Sequence, residues 1–285
     1  MEIWRVGADV SECPFWDDAT QMLYWVDIRA PSLHRYAASG EKLRSWSLPE
    51  PVGAFALLED GNRALVALAS GLAVLDLETD ALERLMAPEP ERPANRLNEG
   101  KVSPCGQHFV FGSMDDRVEK EATGALYCLS ADRSLRVLAR GLIVANGVAW
   151  SPDGRVLYFS DSRASMIWAN DWDADTGTIA NRRVFASPTE AEGRPDGAAM
   201  DQDGHYWSAG VSAGCLNRFA PDGRMAHTIR LPVQAPTMPV FGGSDGASLF
   251  VTSHRRVANP RADDGSIVVL PVSQRGTLQR RFSMG

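Results

Sequence analysis

One stretch, Val148-Ala149-Trp150-Ser151-Pro152-Asp153-Gly154-Arg155-Val156-Leu157-Tyr158-Phe159, contains two short apolar runs separated by a turn sequence. Apolar runs of this length on either side of a Pro-Asp-Gly turn are typical of a β-hairpin. The same pattern begins at five other places, near Phe15, Phe55, Val102, Ala199 and Val240. Five of the six turns contain a glycine, at positions 61, 106, 154, 204 and 246, so the spacings are 45, 48, 50 and 42 residues. A hairpin that recurs with this period predicts the blades of a β-propeller.

A second hairpin follows the first in several of the repeats. For example, Ala73-Val74-Leu75-Asp76-Leu77 precedes Leu82-Glu83-Arg84-Leu85. Four strands in about 47 residues fit one propeller blade, and the 285 residues then provide six blades. No long window shows the 3.6-residue apolar period of an amphipathic helix. We therefore predict an all-β fold, a six-bladed β-propeller with four antiparallel strands per blade, that forms a single domain over residues 1–285.

Composition and charge argue against several classes of protein. The formal net charge is −7, so electrostatics give no support to a nucleic-acid partner. The apolar run over residues 64–75 is too short to cross a bilayer, and the N-terminus lacks the basic and then apolar pattern of a signal peptide. The four cysteines form no CxxC pair, which predicts reduced thiols. We expect a cytoplasmic protein with no membrane or nucleic-acid partner, and the oligomeric state is not predicted.

Polar side chains recur at one position of the repeat. In a propeller, the loop that precedes the innermost strand of each blade opens on the mouth of the central channel. Counting back eight residues from the turn glycines, and from the equivalent position of the first repeat, gives Gly53, Asn98, Asn146, Asp196, Met238 and Glu12. Carboxylate and amide oxygens gathered around one axis suit a divalent cation. The alternative is that Asn146-Gly147 and Asp196-Gly197 are independent turns, and the repeat arithmetic leaves both interpretations open.

Five motifs resemble, in order, the signatures of the regucalcin/gluconolactonase family. They are Ser11-Glu12-Cys13-Pro14-Phe15-Trp16, Asn95-Arg96-Leu97-Asn98-Glu99-Gly100-Lys101, Asn146-Gly147-Val148-Ala149-Trp150-Ser151, Arg194-Pro195-Asp196-Gly197 and Val240-Phe241-Gly242-Gly243. The family consists of six-bladed propellers with one divalent metal ion near the axis, and many members hydrolyse sugar lactones. The resemblance therefore implies that Glu12, Asn146 and Asp196 bind a metal. Oxygen ligands leave Ca²⁺, Zn²⁺, Mg²⁺ and Mn²⁺ as candidates.

The resemblance also implies residues that bind the substrate. The family's substrate-binding arginine and asparagine match Arg96 and Asn98. An aspartate often follows that asparagine in the family, where this chain has Glu99. A further acidic contact is expected later in the third repeat, where Glu119 and Glu121 are the two candidates. We predict that Glu99 and Glu121 contact the substrate, and the two departures concern the identity of the substrate rather than the metal.

The resemblance therefore implies hydrolysis of a small sugar lactone to the aldonic acid. Three protein ligands leave positions on a metal open for water and substrate. We predict that Asp196 is a catalytic base as well as a ligand, that Arg96 donates to sugar and lactone oxygens, and that Asn98 bonds a hydroxyl group. Competing functions are a calcium-binding regulatory propeller without catalysis, a related ester or organophosphate hydrolase, and a propeller that binds other proteins.

Two other features of the sequence are weaker indications of a site. G-x-S-x-G occurs at residues 210–214 and 242–246, but no helical pattern follows either, as a serine nucleophile elbow requires. His254 lies near a strand end and could reach the channel mouth, although a turn histidine is the simpler interpretation.

Overall fold

The computed structural model describes residues 1–284, and this part of the chain contains strands, turns and bends but no helix. Its strands form six four-stranded sheets, numbered as blades 1 to 6 in chain order. The predicted all-β, six-bladed propeller with four antiparallel strands per blade is therefore confirmed. Over the same residues, no helix is long and apolar enough to cross a membrane.

Within each blade the chain runs from the innermost strand outwards, and the N-terminal strand β1 (Glu2–Trp4) precedes blade 1. Blade 1 contains β2 (Ser11–Asp17), β3 (Met22–Asp27), β4 (Ser32–Ala37) and β5 (Lys42–Ser47). Blade 2 contains β6 (Val52–Leu57), β7 (Arg63–Leu68), β8 (Gly71–Asp76) and β9 (Leu82–Met86). Blade 3 contains β10 (Asn95–Val102), β11 (His108–Asp115), β12 (Gly124–Ser130) and β13 (Leu135–Leu142).

The remaining blades repeat this arrangement. Blade 4 contains β14 (Ala145–Trp150), β15 (Val156–Asp161), β16 (Met166–Asp173) and β17 (Thr178–Ala186). Blade 5 contains β18 (Pro195–Met200), β19 (Tyr206–Gly210), β20 (Cys215–Phe219) and β21 (Met225–Arg230). Blade 6 contains β22 (Pro236–Gly242), β23 (Ser248–Ser253), β24 (Ile267–Pro271) and, as its outermost strand, β1.

The ring is closed by the N-terminal strand. β1 pairs antiparallel with β24, with Ile3 opposite Val268, so blade 6 combines the two ends of the chain. This pairing ties the first blade to the last and protects the edge of blade 6. The repeat pattern did not predict β1, because three residues are too few to show a period.

The innermost strands contact one another around the axis and are buried along nearly their whole length. The outermost strands β9 and β21 contain only half-buried and exposed residues. Apolar side chains fill the space between facing blades. Trp46 is 1% exposed and its Nε1 donates to the Leu77 carbonyl at 3.1 Å, which joins blade 1 to blade 2. Full burial of one large apolar side chain contributes about 1.5–3 kcal/mol to folding.

Every innermost strand has a β-bulge near its start. The pairing register with the next strand shifts at Glu12 in β2, at Asn146 in β14 and next to Asp196 in β18, and the other three innermost strands show equivalent shifts. A bulge leaves residues unpaired and redirects their side chains. The bulges include or adjoin the positions that the count of eight residues selected at the channel mouth, although the count did not predict bulges. The turn glycines all have positive φ, between 66° and 83°.

The opposite end of the channel is crossed by residues 275–283, which we call the C-terminal strap. Thr277 N donates to the Met200 carbonyl at 3.0 Å on blade 5, and Phe282 N donates to the Leu57 carbonyl at 2.7 Å on blade 2. The side chain of Phe282 is fully buried and packs against Phe109, with ring centroids 6.3 Å apart. The strap therefore ties several blades together at the end where the innermost strands finish.

Candidate active site

A cavity of about 170 Å³ lies at the end of the channel where the innermost strands begin. Its walls include Glu12, Asn98, Asn146 and Asp196, from blades 1, 3, 4 and 5. The four oxygen-bearing residues at the equivalent repeat positions therefore meet in one place, as the shared-site interpretation requires. Arg96, the other residue that the resemblance assigned to substrate binding, also lines this cavity.

A larger cavity of about 300 Å³ lies at the opposite end, beneath the C-terminal strap. Its lining includes Lys101, Trp150 and Phe241. Among the described residues, no aspartate, glutamate or histidine lines it. This second cavity therefore lacks the carboxylate groups that hydrolytic chemistry with a divalent cation needs.

A continuous series of hydrogen bonds orients the polar residues of blades 3, 4 and 5. Arg96 Nε donates to Asp116 Oδ1 at 2.9 Å, and Arg96 Nη1 donates to Asn98 Oδ1 at 2.7 Å. Asn98 Nδ2 donates to Asn146 Oδ1 at 2.8 Å, and Asn146 Nδ2 donates to Asp196 Oδ1 at 2.5 Å. Because each amide both donates and accepts within the series, the side chains are held in place before any ligand binds.

Glu99 lies behind the cavity wall rather than on its surface. Its side chain accepts hydrogen bonds from the backbone N–H groups of Gly147 at 2.8 Å and Val148 at 2.7 Å, and the residue is 1% exposed. Burial raises the pKa of Glu99 to about 7, opposed by the positive charge of Lys101 and by these two N–H groups. Glu99 therefore fixes the bulge that follows Asn146. Contact with substrate stays a prediction that this placement does not support.

The bulge of blade 4 requires glycine at position 147. Gly147 has a φ of +67°, and a Cβ there would lie 2.3 Å from the hydroxyl of Tyr206. That hydroxyl donates to the Gly147 carbonyl at 2.7 Å, so the backbone is held closely from both sides. The Asn146-Gly147 pair is therefore a β-bulge within β14 rather than an independent turn, and it places a site residue.

Glu12 is positioned by a similarly unusual backbone. Cys13, the next residue, has a φ of 46°, which is uncommon for a residue with a side chain. Its backbone N–H donates to Glu12 Oε2 at 2.8 Å. This contact fixes one carboxylate oxygen of Glu12, which is 6% exposed at the cavity wall.

Glu12 and Asp196 are carboxylates without a cationic partner. Burial raises the pKa of Glu12 well above its usual value, and the negative charges of Asp196 and Glu99 add to the effect. Burial and the charge of Glu99 raise the pKa of Asp196 to about 8. Over residues 1–284, no lysine, arginine or histidine forms an ion pair with either group, since Arg96 pairs with Asp116. Carboxylates in such a setting need a proton or a cation.

These residues fit a divalent cation. Glu12 and Asp196 offer carboxylate oxygens that no cationic side chain of residues 1–284 contacts within ion-pair distance. Asn146 offers an amide oxygen, and a carbonyl oxygen has a second lone pair beside the one that accepts from Asn98. An all-oxygen set of this kind suits hard divalent cations.

Neither candidate glutamate of blade 3 reaches the cavity. The side chain of Glu121 is 66% exposed and pairs with Arg117 at 3.2 Å, and Glu119 is also exposed. The residue of this loop that lines the cavity is Lys120. Its Nζ donates to the carbonyl of Asp115 at 2.7 Å, which holds it in place. The substrate contact assigned to Glu121 stays a prediction. The ammonium group of Lys120 lies where an acidic side chain was expected.

Sequence reasoning did not assign four titratable cavity residues to the site, namely Lys120, Arg163, Arg194 and His254. Lys120, Arg163 and His254 follow the second strand of their blades, whereas Arg194 directly precedes β18. In each blade, the connection after the second strand returns to the end where the innermost strand begins, because neighbouring strands are antiparallel. Which side chain of such a loop faces the cavity depends on the loop conformation, for which the sequence carries no period.

A second acidic group lies at the other end of blade 5. Asp201, Asp203 and His205 have ligand atoms within 4.8 Å of one another and could hold a metal ion. However, Asp201 Oδ2 already accepts from Arg218 Nη2 at 2.8 Å and from Trp207 Nε1 at 3.0 Å. Because a guanidinium balances this carboxylate, the residues of the first cavity fit a cation better.

Known relatives of the chain include lactonases. It is 38% identical over 275 residues to L-arabinolactonase from Azospirillum brasilense, covering 94% of this chain and 90% of that protein. It is also 38% identical over 263 residues to 6-deoxy-6-sulfogluconolactonase from Pseudomonas putida, covering 91% of this chain and 89% of that protein. These proteins are similar over nearly their full lengths.

Solved structures show the same architecture. A luciferin-regenerating enzyme superposes with a TM-score of 0.92 at 26% identity, covering 99% of both chains. Regucalcin from Agrobacterium tumefaciens, described as a calcium-binding protein, superposes with a TM-score of 0.89 at 28% identity, covering 96% of this chain and 94% of that one. The profile of the SMP-30/gluconolactonase/LRE-like region matches residues 10–255. The motifs, the fold and these similarities together show that the chain belongs to the SMP-30/gluconolactonase/LRE-like family.

Proposed function

We propose that this protein hydrolyses a small sugar lactone to the aldonic acid with the help of one divalent cation held by Glu12, Asn146 and Asp196. The observation that carries the proposal is the hydrogen-bonded series from Asp116 through Arg96, Asn98 and Asn146, which ends in the cavity at the Asp196 carboxylate, for which residues 1–284 provide no ion-pair partner. The lactonases among the relatives support the same reaction class. The four free cysteines agree with a reducing compartment such as the cytoplasm.

Asp196 is the residue suited to handle protons. It is partly exposed to the cavity, and its Oδ1 is oriented by Asn146. In the proposed reaction, Asp196 accepts a proton from water as the water oxygen bonds to the lactone carbonyl carbon. The ring C–O bond then breaks, and the proton passes to the ring oxygen, which becomes a hydroxyl group. A bound divalent cation supplies positive charge that polarises the carbonyl.

Arg96 and Asn98 are suited to orient the sugar. Arg96 uses Nε for Asp116 and Nη1 for Asn98 and the Leu97 carbonyl, which leaves Nη2 available to a substrate oxygen. The guanidinium cannot turn freely, because it donates to three acceptors at once. Hydrogen bonds from such pre-positioned donors hold the lactone carbonyl near Asp196 at little entropic cost.

A calcium-binding propeller without catalysis is the second candidate function. The structural similarity to a calcium-binding regucalcin favours it. That function needs the oxygen ligands but gives no role to the prearranged Arg96 and Asn98. Lactone hydrolysis therefore gives a role to more of the residues that line the cavity.

The test is lactone hydrolysis by protein stripped with EDTA and then reloaded with Ca²⁺, Mg²⁺, Mn²⁺ or Zn²⁺. Acid release from arabinonolactone, xylonolactone and gluconolactone is measured against the spontaneous rate. We expect hydrolysis to disappear on stripping and return with at least one ion. Glu12→Gln should need a much higher ion concentration, because it loses one charged ligand, whereas the exposed Glu91→Gln, with a side chain 67% exposed, should match the wild type.

Two results would overturn the proposal. If loaded protein hydrolyses none of the lactones above the spontaneous rate, the proposed reaction is wrong. If stripped protein retains full activity while elemental analysis shows no bound metal, the cation is not required.

A further inference from the structure

The site cavity contains more positive than negative charge. Glu12 and Asp196 are its two carboxylates, and the proposed divalent cation would balance them. Four cationic residues line the same cavity, namely Arg96, Lys120, Arg163 and Arg194. These four side chains therefore require partners elsewhere.

Nearby acids balance these side chains unequally. Arg194 is paired with Glu190, with both oxygens 3.1 Å from Nη1. Arg96 pairs with Asp116, but Asp116 is shared with Arg29, whose Nη1 donates to Asp116 Oδ2 at 2.9 Å. One carboxylate therefore faces two guanidinium groups, and this part of the wall keeps a net positive charge.

Lys120 and Arg163 have no carboxylate partner within ion-pair distance in residues 1–284. Lys120 Nζ donates to the carbonyls of Asp115 at 2.7 Å and Arg117 at 3.1 Å, which fixes the ammonium and leaves its third donor unused. Arg163 is exposed at the cavity, and its backbone N–H, rather than its guanidinium, donates to Asp161 Oδ1 at 3.0 Å. These two side chains form what we call the cationic rim.

The members of the cationic rim are close enough to repel one another. Partial burial lowers the pKa of Lys120, and the positive charges of Arg96 and Arg163 lower it further, while Asp116 acts in the opposite direction. Like charges held together without partners are unfavourable. In a chain with a net charge of −7, such a cluster points to an anionic ligand.

The depth of the residues sets the orientation of that ligand. Glu12 and Asn146 are buried at the floor of the cavity, and Arg163 is exposed at its rim. The lactone carbonyl must reach the floor if Asp196 is to act on the attacking water. The opposite end of the same molecule then faces Lys120 and Arg163.

Building on the proposed lactone hydrolysis, we propose that the substrate is a sugar lactone with an anionic group at the end remote from the lactone carbonyl, bound by Lys120 and Arg163. Phosphate, sulfonate and carboxylate share the oxygen acceptors that these donors recognise. The rim then acts as a specificity determinant, which favours charged over neutral lactones of the same ring.

The test compares kcat/KM for glucono-1,5-lactone with its 6-phospho and 6-deoxy-6-sulfo forms, and for glucono-1,4-lactone with glucaro-1,4-lactone, which has a free carboxylate. We expect at least one anionic lactone to exceed the neutral lactone of its own ring size about tenfold or more, mainly through KM. The double variant Lys120→Gln/Arg163→Gln should lower this preference about tenfold. Arg224→Gln removes a distant cation whose side chain is 79% exposed, and it should keep the wild-type preference.

The outcomes separate the two proposals. Hydrolysis of neutral lactones without preference for any anionic one, or a preference that the double variant retains, overturns the cationic rim and leaves the lactonase intact. If no lactone is hydrolysed, the proposed reaction is wrong, and binding of the product acids, measured by calorimetry, still tests the cationic rim. The rim is supported if 6-phosphogluconate or 6-deoxy-6-sulfogluconate binds more tightly than gluconate and the double variant loses this difference. Equal binding of the three acids refutes the rim.

Discussion

Two aspartates five residues apart lie at opposite ends of the innermost strand of blade 5. Asp196 is the second residue of the strand, at the site cavity, and Asp201 follows its end beneath the C-terminal strap. Burial raises the pKa of Asp196 to about 8, with the charge of Glu99 adding to it. Burial also acts to raise the pKa of Asp201, but hydrogen bonds from Trp207, His205 and Arg218 outweigh it and lower that pKa.

The contrast follows from the partners rather than from the depth of burial. Asp201 is fully buried, and Arg218 supplies a positive charge with two donors to the same oxygen. Asp196 is less buried, yet its hydrogen bond comes from a neutral amide. A carboxylate satisfied by fixed partners contributes to stability, whereas a carboxylate left without charge compensation remains available to bind a cation or move a proton. We therefore expect Asp201 to stabilise the fold at one end of the propeller and Asp196 to take part in the chemistry of the site at the other.

The largest expected effect concerns Asp196. Asp196→Asn removes the proposed base and one charged ligand, so lactone hydrolysis should fall about 1,000-fold or more. The melting temperature in EDTA should not fall, because the substitution removes a buried charge that lacks a partner. Kinetics on the reloaded protein and thermal melts of the stripped protein measure the two effects. A variant that keeps its activity would contradict the role given to Asp196.

For Asp201, at the other end of the strand, we expect the opposite result, namely a loss of stability while activity is retained. Asp201→Ala leaves Arg218 and the Trp207 indole without their acceptor, and should lower the free energy of unfolding by about 3–4 kcal/mol at pH 7. The wild-type advantage should shrink as the pH falls below the usual value of 3.8, because a lowered folded-state pKa gives stability that is lost when the group becomes protonated. Urea unfolding at pH 7 and pH 3 checks this. Loss of activity in the folded variant would show that the two ends are coupled.

The repeat pattern made the residues at the Asp196 end of the propeller predictable from sequence. The count of eight residues before each turn glycine, and before the equivalent position of the first blade, found Glu12, Asn98, Asn146 and Asp196, because a propeller places equivalent positions of every blade at the same end of the axis. The bulges explain why the count works. Each one interrupts the pairing at the same point and directs a side chain to the channel.

The repeat pattern does not predict the conformations of the loops. Glu119, Lys120 and Glu121 are consecutive charged residues, and no period indicates which of them faces the cavity. In the structure, the Glu121 backbone N–H donates to Asp115 Oδ2 at 2.8 Å, and Lys120 donates to the carbonyl of the same residue. The Asp115 carboxylate thus determines the loop conformation, which family motifs alone could not predict. Arg163 enters the cavity by the same kind of loop after blade 4's second strand.

The smallest effect tests whether the C-terminal strap serves stability alone. Phe282→Ala empties a fully buried position next to Phe109 and should lower the free energy of unfolding by about 3 kcal/mol, since an aromatic side chain is lost from a packed core. Lactone kcat/KM should stay within about twofold, because the strap and the site cavity lie at opposite ends of the innermost strands. Leu278→Ala is the matched control, as Leu278 belongs to the same strap but is 61% exposed. A change in kcat/KM with unchanged stability would show that the strap acts on the site through the innermost strands. The conclusion that the Asp196 and Asp201 ends of the propeller act independently would then be wrong.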